Sequence, residues 1–280
     1  TRTSHTHNSF LGVSDLAVGN NRFTFVIRSL EGETLKSNDI QVEFFYDELE
    51  GFVSKFKVSA IFQELQDIVP HVHEDGQLHE HSESKGFYAI PKAVFAYPGT
   101  WIARFSIQSG NESQHTIPDL AFKVNDLSKV PQVGALIPHT RNPTLREVTD
   151  IDEICSNFPA DDMHEVSITE ALKAAQPFVI IWSAPSFCTS QICSPITRSA
   201  IKLQQLFGAE VTFIHIEPWD LNVARNEGRL IPTQELIEWN LPSEPWVFVV
   251  GSNGRVVAKF EGLISENELE TSIQRVIELY

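Results

Sequence analysis

The stretch that decides the fold runs from Pro177 to Pro195, PFVIIWSAPSFCTSQICSP. Its first part, Phe178 to Trp182, has the length and β-branched content of a buried strand. Ser183-Ala-Pro-Ser186 does not continue that strand, because Pro185 has no backbone donor. Thr189 or Ser190 offers a helix cap, and Ile196, Ala200, Leu203 and Leu206 then recur at helical spacing. A helix there puts Cys188 near its N-terminus, where partial positive charge favours a thiolate. Four residues separate Cys188 from Cys193. In a regular helix five positions turn through roughly 500°, so a bond between these sulfurs requires a non-helical or distorted first turn.

Outward from this stretch the element types alternate as an α/β unit should. Ile168 to Ala175 reads as a helix, and Val211 to Ile216 as a strand closed by Glu217-Pro-Trp-Asp220. A short helical turn follows at Gln234 to Trp239. Trp246 to Val250 and Arg255 to Phe260 flank Gly251-Ser-Asn-Gly254 as a hairpin, and Glu266 to Leu279 is an amphipathic closing helix.

This order, with Trp182, Phe187 and Cys188 at the turn and Pro245 just before a strand, resembles the thioredoxin superfamily over residues 151–280. The spacing departs from that family, which places two residues between its cysteines, or three in Sco-type copper-delivery proteins. The resemblance implies a thioredoxin-like α/β fold in which Cys188 attacks, Cys193 resolves, and a cis Pro245 faces the cysteines. It further implies that Glu244, Pro245, Trp182 and Phe187 contact substrate, that the partners are protein thiols or disulfides, and that no cofactor is required. A Glu244 carboxylate beside the sulfur would raise the Cys188 pKa, against the helix terminus. The Sco-type likeness implies instead a soft copper or zinc site at Cys188 and Cys193 with His215, and a metalloprotein client. Cys155 reads as a small packed residue or as a resolving thiol.

The N-terminal half has a different period. Phe23, Phe25 and Ile27, then Val42, Phe44 and Tyr46, alternate with polar residues, as do Phe56 and Val58. With Phe87 to Ile90, Trp101 to Ile107 and Leu120 to Val124 they predict an all-β sandwich over residues 21–126. The polar residues 1–20 read as a loose lead-in. Residues 127–150, with Pro131, Pro138 and Pro143 and no sustained period, read as a proline-rich linker lying along a surface. The segment Gly86 to Phe105 resembles the late strands of immunoglobulin-like domains of the YtkA and CopC kinds, which implies a location outside the cytoplasm.

Within this half, His71, His73, His79 and His81 place four of the ten histidines in eleven residues. They make a second candidate site for copper or zinc. Hairpin register decides it. A loop over Glu74 to Leu78 sets His73 opposite His79 and His71 opposite His81, whereas a two-residue turn at Asp75-Gly76 splits the pairs between faces.

The net charge of −16 excludes nucleic acid as a main partner, since it repels phosphate backbones. No apolar run reaches the length of a membrane span. The first residues lack the apolar core of a signal peptide, which leaves a cytosolic protein or one whose export signal has been removed. Three cysteines are too few for a disulfide scaffold. Three function classes remain: thiol–disulfide exchange, metal handling, and a non-catalytic binding or scaffold role.

Overall fold

The computed structural model describes residues 5–65, 70–72, 78–80, 85–107, 116–188 and 192–280. Their contacts divide into two units, Thr1–Ser128 and Lys129–Tyr280.

In the first unit the period-two runs become two antiparallel four-stranded sheets. One contains β1 (His7–Leu11), β2 (Gly19–Ser29), β8 (Lys85–Phe95) and β5 (Ile61–Leu65), in that spatial order. The other contains β10 (Leu120–Val124), β9 (Gly99–Ile107), β3 (Ile40–Glu48) and β4 (Gly51–Ser59). Alternate residues of both sheets meet in one core, which includes Phe23, Phe25, Val42, Phe44, Tyr88 and Trp101. Rings from the two sheets pack directly, Phe23 on Phe44 at 5.1 Å and Phe25 on Phe105 at 4.8 Å.

Two expectations for this unit need correction. Residues 7–11, read as a loose lead-in, pair along their whole length with β2. Backbone hydrogen bonds hold this edge strand, and its side chains carry little of the signal. The histidine hairpin adopts neither expected register. In its two strands β6 (Pro70–Val72) and β7 (Leu78–Glu80), His71 stands opposite His79. His73 and His81 lie outside the described residues.

The second unit is built on a four-stranded sheet in the order β12 (Thr212–Ile216), β11 (Phe178–Trp182), β13 (Trp246–Val250), β14 (Val256–Glu261). β11 runs parallel to β12 and antiparallel to β13, and β13 and β14 form the expected hairpin. Gly254 closes its turn with φ of 73°, a backbone geometry that side chains disfavour. Every residue of β11 and β13 is buried, so alternate residues serve two opposite faces. Val179, Ile181, Val247 and Val249 pack with Ile196, Ala200 and Leu203 of α2 (Cys193–Phe207) and with Leu269, Ile273 and Val276 of α5 (Glu266–Leu279). Phe178, Ile180, Trp182, Phe248 and Val250 face Ile168 and Ala171 of α1 (Ile168–Ala174), together with Trp239 and Leu241. The strand order, one parallel and two antiparallel pairings and helices on both faces define a thioredoxin-like fold.

The stretch expected as a linker belongs to this unit. Val130 and Ile137 are buried in its core. Gly134 N donates to Val256 O at 2.8 Å and Ile137 N to Gly254 O at 3.1 Å, while Trp239 Nε1 donates to Thr140 Oγ1 at 3.0 Å. Its prolines exclude a regular element, yet single backbone bonds to the hairpin satisfy its amides. Among the described residues one α-helix was not anticipated, α3 (Leu221–Glu227), capped by Asp220, whose side chain accepts from Val223 N; the expected short helical turn follows it as α4 (Gln234–Glu238).

α5 allows packing and capping to be compared. Ile273 is fully buried against the sheet. Ser265 caps the helix and forms a reciprocal capping box with Glu268. Removing a large buried side chain costs about 2–5 kcal/mol, against about 1 kcal/mol for a lost cap. Ile273→Ala should therefore lower the urea midpoint clearly more than Ser265→Ala, read by the fluorescence of Trp182, Trp219, Trp239 and Trp246. The reverse order would contradict the packing assigned to α5.

Candidate functional site

β11 ends at Trp182, and Ser183 to Phe187 turn the chain before α2. The helix begins at Cys193, with Ile192 as N-cap and no side-chain cap, so it starts later than Thr189 or Ser190 would set it. Thr189, Ser190 and Gln191 lie outside the described residues. Cys188 therefore stands before the helix, and the azimuth of a regular helix does not separate the sulfurs. The backbone N–H of Cys193 donates to Cys188 Sγ at 3.3 Å. That amide is one of the helix's orphan donors, so the positive helix end is directed at the Cys188 sulfur.

Glu244, two residues ahead of β13, closes the site. Cys193 Sγ–H donates to Glu244 Oε2 at 3.0 Å, and Cys188 Sγ lies 3.5 Å from the same oxygen. The two sulfurs and a Glu244 oxygen all lie within 4.8 Å of one another. Cys193 and Glu244 are buried, while Cys188 is partly exposed. The hydrogen bond shared with Cys188, burial and the Glu244 carboxylate push the Cys193 thiol well above the ordinary thiol range. The arrangement pairs a partly exposed sulfur that accepts a helix-terminal N–H with a buried thiol that donates to a carboxylate.

The other residues predicted for this site divide. The peptide bond between Glu244 and Pro245 is cis, as expected, and a second cis bond joins Phe158 and Pro159. Phe187 is partly exposed beside Cys188. Trp182 does not contact the surface: it is fully buried and packs on Trp239 at 5.6 Å. As the last residue of a strand covered on both faces, it belongs to the core.

His215 does not join Cys188 and Cys193. It lies in β12 and belongs to a second cluster with Cys155, Asp161 and His164, whose donor atoms are all within 4.8 Å. His215 Nδ1 is 2.9 Å from Asp161 Oδ2, and Cys155 Sγ–H donates to the same oxygen at 3.5 Å. The loop carrying these residues is fastened to the end of β12. Met163 O accepts from His215 N at 2.9 Å, Ser156 N donates to Glu217 Oε1 at 2.7 Å, and Arg225 Nη2 donates to Cys155 O at 3.0 Å. Burial opposes ionisation of Asp161, but His164 and His215 outweigh it and hold the carboxyl far below its usual range. Burial likewise pushes the Cys155 thiol up, and the same imidazoles bring it down to about 7. Burial raises Glu217, next to this cluster. Asp161 and His164 were missed in the sequence. The only available signal was the spacing Cys155, Asp161, His164 ahead of His215-x-Glu217, split between a loop and a strand.

No family model and no curated protein matches the chain. Among solved structures, the chain is similar to a putative thiol:disulfide interchange protein DsbE from Chlorobium tepidum. The identity is 13% and the TM-score 0.38, over 52% of this chain and 99% of that one. It is also similar to a thiol:disulfide interchange protein, thioredoxin family protein, from Chlorobium tepidum TLS, at 16% identity and a TM-score of 0.32, over 50% of this chain and 99% of that one.

Exposure and local charge rank the three thiols. Native alkylation with iodoacetamide, mapped by mass spectrometry, should label Cys188 first and leave Cys193 and Cys155 to react only on unfolding. Native labelling of Cys193 or Cys155 ahead of Cys188 would contradict the site geometry.

Proposed function

We propose that the protein exchanges thiols and disulfides with protein clients through Cys188 and Cys193. The observation that carries this reading is the asymmetry of the pair: a helix-terminal N–H on the Cys188 sulfur, and a buried Cys193 thiol on the Glu244 carboxylate. The Cys188 thiolate attacks one sulfur of a client disulfide, forming a mixed disulfide and releasing the other client sulfur as thiolate. Glu244 then accepts the Cys193 proton as Cys193 attacks Cys188. The Cys188–Cys193 bond forms, the client leaves with both sulfurs reduced, and two electrons have moved to it. Run backward, the same steps oxidise a dithiol client. Phe187 supplies exposed apolar surface beside the attacking sulfur, and Glu244 with Pro245 shapes the groove behind it.

Two sheets sharing one aromatic core support an immunoglobulin-like reading of the first unit, and with it a place outside the cytoplasm, where such exchange serves exported clients. Among the described residues, no helix is long and apolar enough to cross a membrane.

Insulin reduction with a dithiol donor tests the mechanism. Cys188→Ser should abolish turnover, Cys193→Ser should accumulate the mixed disulfide, and Glu244→Gln should slow turnover on the order of 10²-fold by removing the proton acceptor. Turnover in Cys188→Ser equal to that of the unaltered protein would overturn the reading and favour a non-catalytic binding role.

A further inference from the structure

The cluster at the end of β12 shares no residue with the cysteine pair. Its hydrogen bonds determine which nitrogen of His215 faces inward. Thr197 Oγ1 donates to Cys193 O at 3.0 Å, so the hydroxyl proton of Ser183 goes to Thr197 Oγ1, 2.8 Å away. Ser183 Oγ is then left to accept from His215 Nε2 at 2.9 Å, and Ser183 O faces the same nitrogen at 3.1 Å. Nε2 therefore carries a proton. Nδ1 lies 2.9 Å from Asp161 Oδ2, a carboxylate oxygen that only accepts, so in the metal-free chain Nδ1 also carries a proton and donates it there, and a bound ion takes that proton's place. His164 Nε2 is buried, lies 3.2 Å from Asp161 Oδ1, and has no hydrogen-bond partner among the described residues. Cys155 adds a sulfur 3.5 Å from Asp161 Oδ2. Four electron-pair donors thus converge in a buried space.

We propose that Cys155, Asp161, His164 and His215 form a tetrahedral site for a borderline-soft divalent transition metal, with zinc the best fit. One thiolate and two imidazoles select this class over magnesium or calcium, which require oxygen ligands. Zinc bonds of about 2.0–2.3 Å in a tetrahedron place donor atoms roughly 3.3–3.8 Å apart, and small side-chain adjustments bring this cluster to that spacing. A divalent ion with one thiolate, one carboxylate and two neutral imidazoles has no net charge, which suits a buried position. The Nε2–H of His215 on the Ser183 carbonyl is the outer hydrogen bond that metal-ligating histidines characteristically make. Cys155 is only 1% exposed, which disfavours a nucleophile meeting a substrate and suits an enclosed ligand. A cavity of about 860 Å³ bordered by His164, His215, Glu217 and Trp219 offers the ion a way in. On binding, the Cys155 thiol proton and any imidazolium proton pass to solvent.

Cobalt(II) chloride titrated into the full metal-depleted chain tests the proposal by absorption spectroscopy. One equivalent should bind with the intense visible bands of tetrahedral cobalt and a thiolate-to-cobalt charge-transfer band, and zinc should displace it. The Cys188→Ser/Cys193→Ser double variant should retain the full spectrum. Cys155→Ser should lose the charge-transfer band, and His164→Ala should weaken binding about tenfold or more. Absence of stoichiometric binding would leave an imidazolium–carboxylate pair only and overturn the proposal, as would loss of the charge-transfer band in the double variant. The comparison of unaltered and double-variant protein decides the matter even if Cys155→Ser fails to fold.

Discussion

A buried hydroxyl where the central strand ends must find partners for both its proton and its lone pairs. Ser183, wholly buried just past β11, finds them on two sides. It donates to Thr197 on the first turn of α2 and accepts from His215 at the end of β12. Thr197 in turn donates to the carbonyl of Cys193. The start of the thiol-bearing helix is thus tied through one serine to the neighbouring strand and its histidine. In a low-dielectric interior such a chain is costly to leave incomplete. It fixes where α2 begins, and with it which backbone N–H reaches Cys188.

Placing the helix start at Cys193 separates the electrostatics of the two sulfurs. The helix terminus acts on Cys188, whereas the Glu244 carboxylate approaches Cys193 more closely, at 3.0 Å against 3.5 Å. The negative charge anticipated as a brake on Cys188 is therefore engaged chiefly by the Cys193 thiol. In the proposed exchange, the carboxylate next to Cys193 serves the second step and leaves the first to the helix terminus. The wide spacing of the cysteines is compatible with this division because Cys188 lies outside the helix.

Much of the second unit was legible in the sequence because β11 and β13 are continuous apolar runs, a pattern forced on strands covered on both faces. The closing hairpin was legible through Gly254 and the final helix through its amphipathic stripe. Elements held by backbone pairing alone were not. β1 shows little alternation, and residues 129–149 dock through isolated amides and a few apolar side chains. Trp182 was assigned to the wrong environment because aromatic character near a turn does not distinguish a groove wall from a core. The Cys155 cluster was hidden for a different reason. Its residues come from an irregular loop and the end of a strand, and only the fold brings them together, so His215 was matched to the wrong thiols.

The central claim is that Cys188 and Cys193, and not Cys155, form a reversible redox pair. Equilibrating the full chain in glutathione buffers of graded potential, then quenching and mapping the thiols by mass spectrometry, tests it most directly. The account predicts one two-electron transition that yields a Cys188–Cys193 disulfide with Cys155 reduced throughout. A chain that forms no intramolecular disulfide at any potential, or one whose disulfide includes Cys155, would contradict it.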